Sequence, residues 1–310
     1  MNRITPIGAP RPRRRSSDQK GIHDIRHLPD TEFDGVWDSI ILPPGLKDRL
    51  LAQAVLNFTA RARLQQVHLP VHGIILLIGP PGTGKTSLAR GLASRTAASL
   101  NGALTYIEVD PHALASAALG KTQQAVSHLL GIVLAEESST SPCIVLLDEV
   151  ETLAAARSRM SMEANPVDVH RATDAVLTQL DQLAAEYPQL LFLATSNFAG
   201  AIDEAFFSRA DLVVTIDLPT PEACKAILLD TLERLAKVYP KVTALRTAPQ
   251  IEKAAALAVG LDARRIRKAV LSALAHSKEI AANPETLTAD AVLGAMQGAQ
   301  AERANMEKSR

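Results

Sequence analysis

The chain is poor in cysteine, in net charge and in long apolar runs, and each shortage excludes a class of protein. Its two cysteines, Cys143 and Cys224, provide neither a disulfide framework nor the spacing of a metal site. Lysine plus arginine equals aspartate plus glutamate at 33 each, so no overall field favours nucleic acid or an anionic membrane. No apolar run approaches the roughly 18 residues that cross a bilayer, and the N-terminus lacks an apolar signal segment. We therefore expect a cytoplasmic protein that binds neither membrane nor nucleic acid.

Composition divides the chain into four parts. Residues 1–28 are rich in Pro, Arg and Ser and lack periodicity, which predicts a disordered basic tail. Contact of this tail with nucleic acid or an acidic partner is the less favoured alternative, because no aromatic residues are interleaved for base stacking. Residues 29–218 alternate apolar runs with helical patterns and predict a large α/β domain, whereas residues 219–300 predict a small all-helical domain. Residues 301–310 predict a polar tail.

A complete phosphate-loop motif lies near the start of the α/β domain. The apolar run 74–78 precedes it and an amphipathic helical pattern follows, so the order is strand, glycine loop, helix. Backbone N–H groups and the helix N-terminus would face the phosphates of ATP, with Lys85 at the β/γ-phosphates and Thr86 on Mg²⁺. The predicted nucleotide-binding residues of the loop are Gly79, Pro80, Pro81, Gly82, Thr83, Gly84, Lys85 and Thr86.

Four further apolar runs follow and complete a predicted five-stranded parallel sheet. Asp148 and Glu149 directly follow the apolar run 143–147. Asp148 is suited to bind the metal ion, and Glu149 is suited to take a proton from the attacking water. Asn197 ends the next run and would hold the attacking water, although a simple turn residue is the plainer alternative. Arg209 precedes the last run and is a candidate for stabilising charge on a neighbouring subunit's nucleotide, with a surface ion pair to Asp211 as the competing interpretation.

Two features outside the strands bear on the same site. Arg264, Arg267 and Lys268 share one face of a predicted helix, and an arginine in a first helical turn indicates a nearby anion, here the nucleotide. Trp37 is either a core residue or part of an adenine pocket, and its position favours the core.

Together these motifs resemble the AAA+ ATPase module: a P-loop α/β large domain followed by a helical lid. The phrases FDGVWDSI (33–40), LLDEVETLAAAR (146–157), DAVLTQLDQL (174–183), ATSN (194–197) and FSRAD (207–211) further resemble the pachytene-checkpoint ATPase family, known in animals as thyroid receptor interactor thirteen. The short, tail-like front of the chain is similar to that of bacterial relatives that accompany cyclic-oligonucleotide antiphage (CBASS) systems.

This resemblance implies a homohexameric ring that uses ATP and Mg²⁺, held through Thr86 and Asp148, to open or disassemble HORMA-domain protein complexes and so limit antiphage signalling. Glu149, Asn197 and Arg209 would be catalytic, and Arg264 would bind nucleotide. By the same resemblance, pore contacts would come from Leu119, Met160 and Met162, although the first pore loop departs from the family pattern in lacking an aromatic residue. The alternative function is a nucleotide-dependent switch or loader that acts without threading its partner.

Overall fold

The computed structural model describes residues 21–110, 134, 141–151, 166–198, 200 and 204–308, with the side chains of 166–175 and 307 not included. Most of the predicted basic tail and the predicted pore residues Leu119, Met160 and Met162 lie outside the described residues.

Within these residues, six strands form one sheet with the order β1-β3-β4-β5-β2-β6. The strands β3, β4 and β5 are parallel to one another, and every residue of β2, β3, β4 and β5 is buried. Strands buried along their whole length suit a sheet covered on both faces, so the predicted α/β class is confirmed. The sheet has six strands instead of the predicted five parallel ones, because β1 joins it antiparallel to β3. The strands are β1 (Ile22–Leu28), β2 (Ile74–Ile78), β3 (Leu104–Val109), β4 (Cys143–Leu147), β5 (Leu190–Ser196) and β6 (Leu212–Thr215).

Strand β1 lies within the segment that the sequence predicted as a disordered tail. Residues 22–28 form β1, which pairs antiparallel with β3, so the prediction that disorder extends to residue 28 is wrong. The segment IHDIRHL has no apolar run, but its three apolar residues are buried. Arg26 is bound to Asp24 at 2.7 Å, and its guanidinium lies 4.6 Å from the ring centroid of Phe33, which itself packs edge-on against Tyr106. Tertiary pairing therefore stabilises a strand that local composition does not indicate.

The helices are α1 (Thr31–Ser39), α2 (Leu46–Gln66), α3 (Lys85–Ser99), α4 (Pro166–Glu186), α5 (Glu204–Phe207), α6 (Pro221–Ala236), α7 (Pro249–Leu257), α8 (Ala263–Ser272), α9 (Lys278–Ala282) and α10 (Ala289–Lys308). Short 3₁₀ segments span Pro240–Thr247, Ala273–Ala275 and Pro284–Thr286. In the described part of the chain, no helix combines the length and apolarity needed to cross a bilayer.

The chain forms two compact units. The sheet unit consists of the chain up to Asp34, Leu50–Leu77 and Ala89–Val214, and the helical unit consists of Gly35–Arg49, Ile78–Leu88 and Thr215–Arg310. The helical unit thus takes in two earlier segments, one of which carries the phosphate loop, whereas the sequence predicted two consecutive domains divided at residue 218. Residues after 300, predicted as a polar tail, continue α10 to Lys308.

The helical unit is built around the apolar face of α6. Cys224, Ile227 and Leu228 pack there with Ile266 and Val292. The start of α6 follows the predicted signal, since Thr220 accepts the N–H of Ala223 at its cap and Pro221 occupies the first turn. Cys143 and Cys224 are both buried free thiols.

Arg61 is a fully buried cation in the sheet unit. Its guanidinium donates to the carbonyls of Leu190, at 2.5 Å, and Ala184, and to the side chain of Asn57 at 3.3 Å. Burial lowers the pKa of Arg61 to about 10, an effect that the charge of Asp211 partly offsets. The residue joins α2 to the end of α4 and the start of β5.

Replacing Arg61 by methionine is expected to lower the free energy of unfolding by about 1–2 kcal/mol, because the buried carbonyl of Leu190 loses this donor. The carbonyl of Ala184 keeps a second donor, Gln65. Chemical denaturation is the measurement, and Arg63→Met, an exposed position on the same helix, is the matched control. Equal stabilities of the two variants would contradict the expectation.

Candidate functional site

The phosphate-loop segment connects β2 to α3. Gly82 and Gly84 have φ angles of 85° and 93°, which residues with side chains rarely adopt, so the backbone curls ahead of the helix. The ammonium of Lys85 is buried and donates to the carbonyls of Gly79 at 2.8 Å and Pro80 at 3.0 Å. Thr83 donates to the carbonyl of Pro80 at 2.9 Å, and Thr86 lies in the first turn of α3. The loop therefore has the shape of an anion-binding turn at a helix N-terminus.

A cavity of about 860 Å³ lies in the helical unit, beside the phosphate loop. Its walls come from the segments Ser39–Leu42 and Thr215–Thr220, from Gly82–Gly84, and from the basic face of α8. Cofactor pockets have volumes of roughly 300–1,000 Å³ and combine apolar walls with a few polar groups. The size and lining of this cavity suit a nucleotide.

The structure brings the three predicted basic residues of α8 to this cavity. Asp262 caps the helix by accepting the N–H of Arg265 at 2.9 Å, and the N–H of Arg264 lies 3.3 Å from the carbonyl of Gly82. The side chains of Arg264 and Lys268 are exposed and form no hydrogen bond or ion pair with other described residues. They remain available to an anion.

Arg267 has a different role. It donates to Asp230 at 2.8 Å and to the carbonyl of Ser39 at 2.6 Å, joining α8 to α6 and to the end of α1. Burial opposes ionisation of Asp230, but the hydrogen bonds from Arg234 and Arg267 outweigh it and lower the pKa of that carboxyl. Arg267 therefore stabilises the cavity wall through its contacts with Asp230 and Ser39.

Trp37 is a core residue, as its position predicted. Its side chain is buried, and the ammonium of Lys47 lies 5.1 Å from its ring centroid. Trp37 is not one of the described residues that line the cavity.

In the sheet unit, the acidic end of β4 is held by the end of β5. The hydroxyl of Thr195 donates to Asp148 and accepts the backbone N–H of Glu149 at 3.0 Å. Glu149 is exposed and has a φ of 50°, an uncommon value for a residue with a side chain. Such conformations occur at functional sites, where neighbouring contacts maintain them.

Asn197 lies beside the same turn. Its backbone N–H and its side-chain Nδ2 both donate to Oε1 of Glu151, at 3.0 and 2.7 Å, whereas Nδ2 lies 3.5 Å from Oε1 of Glu149. The sequence predicted that Asn197 would neighbour Glu149 but did not single out Glu151. The sequence did hold one signal for Glu151, namely that it lies two residues after Glu149, just after the end of β4.

Arg209 is bound to Asp181 of α4. Its Nε lies 2.9 Å from both carboxylate oxygens and its Nη2 lies 2.8 Å from Oδ2, while Nη1 donates to the carbonyl of Ala205. The competing interpretation of an ion pair with Asp211 is wrong, because Asp211 instead accepts the backbone N–H groups of His72 and Gly73.

The predicted site residues are thus divided between the units. The phosphate loop and Arg264 belong to the helical unit, and Asp148, Glu149, Asn197 and Arg209 belong to the sheet unit. The described residues contain no group of three or more His, Cys, Asp or Glu side chains arranged for a metal ion. Thr86 and Asp148 each carry an oxygen donor of the kind that Mg²⁺ prefers, and their role as metal ligands stays a prediction.

Residues 75–218 match the family model described as the ATPase family associated with various cellular activities. CD-NTase-associated protein 6 of Pseudomonas aeruginosa is 52% identical over 282 residues, which cover 91% of this chain and 93% of that protein. The pachytene checkpoint protein 2 homolog of Oryza sativa subsp. indica is 35% identical over 87% of this chain. The alignment covers 63% of that longer relative.

Solved structures share the fold. The structure of C. elegans PCH-2 superimposes with a TM-score of 0.71 at 27% identity, covering 93% of this chain and 77% of that one. The structure of an E. coli MS115-1 HORMA:CdnC:Trip13 complex gives a TM-score of 0.69 at 19% identity, with coverage of 90% and 95%.

Proposed function

Because the chain belongs to the bacterial, CBASS-associated branch of the Pch2/TRIP13-like AAA+ ATPases, we propose that it hydrolyses ATP and thereby remodels a HORMA-domain protein. The proposal that the chain binds ATP rests on the cavity of the helical unit. The phosphate loop, the cations Arg264 and Lys268 and apolar walls surround one space there. A nucleotide requires N–H groups and cations for its phosphates and an apolar surface for its base.

Each step of ATP hydrolysis is assigned to one or more of the predicted site residues. Lys85 and the loop N–H groups bind the phosphates, and Thr86 and Asp148 would hold Mg²⁺, which neutralises phosphate charge when bound. Glu149 accepts a proton from the attacking water, and Asn197 orients that water. The exposure of Glu149 and the contact of Asn197 with the same turn support these roles.

Replacing Thr195 by valine is expected to slow ATP hydrolysis by roughly tenfold, the equivalent of about one hydrogen bond. Valine has nearly the same shape but neither donates to Asp148 nor accepts from Glu149, so both acids lose a fixed position. Steady-state phosphate release measures the effect. Thr96→Val is the matched control, since Thr96 is buried and its hydroxyl donates only to the carbonyl of Leu92 in its own helix. Equal rates for the two variants would contradict a role for Thr195.

We further propose a homohexameric ring in which Arg209 acts on the nucleotide of a neighbouring subunit. The family to which the chain belongs and the 26% exposure of the Arg209 side chain support this role, and the ion pair with Asp181 in the same protomer is the contact that Arg209 would have to share or release. Mixing inactive Arg209→Ala subunits with inactive Lys85→Ala subunits is expected to restore hydrolysis, since some sites then combine an intact Lys85 with a neighbour's intact Arg209. Failure to recover activity in mixtures would contradict action between subunits.

The substrate class comes from the relatives. A protein 52% identical to this chain is named for its association with a CD-NTase, and a fold neighbour was solved together with a HORMA protein and CdnC. These names favour a HORMA protein of a CD-NTase signalling system as the substrate of this chain.

The test uses a closed, peptide-bound HORMA protein with a fluorescent peptide. We expect the wild-type chain and ATP to release the peptide, measured by anisotropy, and Glu149→Gln to leave it bound. No release by a chain that hydrolyses ATP would contradict remodelling. Release by Glu149→Gln with ATP would support the alternative, a switch that acts through nucleotide binding.

A further inference from the structure

We infer that Glu151 is a positioning residue that makes Asn197 present its carbonyl oxygen, and not its NH₂ group, to the attacking water. This inference rests on the proposed ATP hydrolysis. The observation behind it is that one oxygen of Glu151 receives both N–H donors of Asn197, from the backbone at 3.0 Å and from Nδ2 at 2.7 Å.

The chemistry of carboxylates decides the orientation of the amide. An ionised carboxylate only accepts hydrogen bonds, and the side chain of Asn197 has carboxylates of Glu151 and Glu149 as neighbours. Its NH₂ end must therefore face them, which directs Oδ1 away from both. The contact with Glu149 is 3.5 Å long, so Glu151 supplies the main constraint.

This orientation matters for the water. A water molecule has two hydrogens, and in the proposed reaction one is donated to Glu149. If Oδ1 of Asn197 accepts the other hydrogen, a lone pair of the water oxygen is left free to attack phosphorus. If the amide were reversed, its NH₂ group would donate to one of the two lone pairs of the water oxygen, which withdraws electron density from that oxygen and lowers its reactivity toward phosphorus.

Glu151 is suited to this role because it is less exposed than Glu149. Its second oxygen, Oε2, is buried and has no hydrogen-bond partner among the described residues. The carboxylate is therefore removed from bulk water, which strengthens its hold on Asn197. Glu149, in contrast, is exposed and available to the reacting water.

The test is a double-mutant cycle on hydrolysis, with nucleotide affinity measured in parallel. Glu151→Ala is expected to lower kcat about tenfold, as expected for one lost hydrogen bond, and to leave the nucleotide Kd within about twofold. Because Glu151 acts through Asn197, the double variant Glu151→Ala/Asn197→Ala should be no slower than Asn197→Ala alone. Glu151→Gln retains an acceptor oxygen and should keep at least about one third of the wild-type kcat. If the alanine variant does not fold, Glu151→Leu, which has no acceptor oxygen, replaces it in the cycle.

Additive losses in the double variant, or wild-type turnover in Glu151→Ala, would overturn the inference. So would a glutamine variant as slow as the alanine variant. Absence of hydrolysis by the wild-type chain would overturn the proposed function and this inference with it. Wild-type hydrolysis with additive losses would overturn the role of Glu151 alone.

Discussion

Glu149→Gln is expected to slow ATP hydrolysis by about 10²–10⁴-fold, the usual contribution of a general base. Glutamine has the size of glutamate but cannot accept a proton at neutral pH. Thr195 would still accept the backbone N–H of residue 149, so the turn after β4 should keep its geometry. Nucleotide affinity should therefore change little while turnover is lost.

Two measurements separate this result from a general loss of structure. Fluorescent-nucleotide titration should give a Kd within a few-fold of wild type, and single-turnover phosphate release should be slow. Glu204→Gln, at another exposed glutamate of the sheet unit, is the matched control and should hydrolyse ATP at the wild-type rate. If Glu149→Gln turned over ATP normally, another group would have to be the base.

Gly79→Ala is expected to weaken nucleotide binding by roughly a hundredfold and to lower the melting temperature. A Cβ at this position would lie 2.0 Å from the carbonyl oxygen of Ile216. The Ile216 carbonyl cannot move freely, because the backbone N–H of Ile216 donates to the carbonyl of Ile78 at 2.6 Å. Overpacking against rigid structure costs about 1–3 kcal/mol. Displacement of the Gly79 carbonyl also removes an acceptor of the Lys85 ammonium.

Gly45→Ala is the control for this prediction. Gly45 has a φ of 76°, but a Cβ there meets nothing within 4 Å, so the variant carries backbone strain without a collision. Calorimetric titration and thermal unfolding of both variants are the measurements. Nucleotide binding by Gly79→Ala as tight as that of Gly45→Ala would show that the contact with Ile216 can relax at little cost.

Local features of the fold were predictable where one short segment contained the whole signal. Strands β2 and β4 are unbroken apolar runs, and the start of α6 has Thr220 and Pro221 in consecutive positions. The basic face of α8 follows from helical spacing alone. In each case the interacting atoms are only a few residues apart in the chain, so periodicity and residue type suffice.

Features that depend on distant partners were missed. Strand β1 has a polar sequence and is stabilised by pairing with β3, about eighty residues away. Arg209 was assigned Asp211 as its competing partner, whereas Asp181 on another helix binds it. The sequence did not single out Glu151, because its contact with Asn197 at the end of β5 joins residues 46 positions apart.

The sequence by itself determined the positions of strands β2–β6 along the chain, the phosphate loop and the residue types available for chemistry, because these depend on near neighbours in the chain. Only the tertiary structure decided that α8 and the segment after α1 surround one cavity with the phosphate loop, and that Asn197 donates two hydrogen bonds to Glu151. The physical reason is that side-chain direction and hydrogen-bond pairing between distant segments are set by packing, and no local pattern records them.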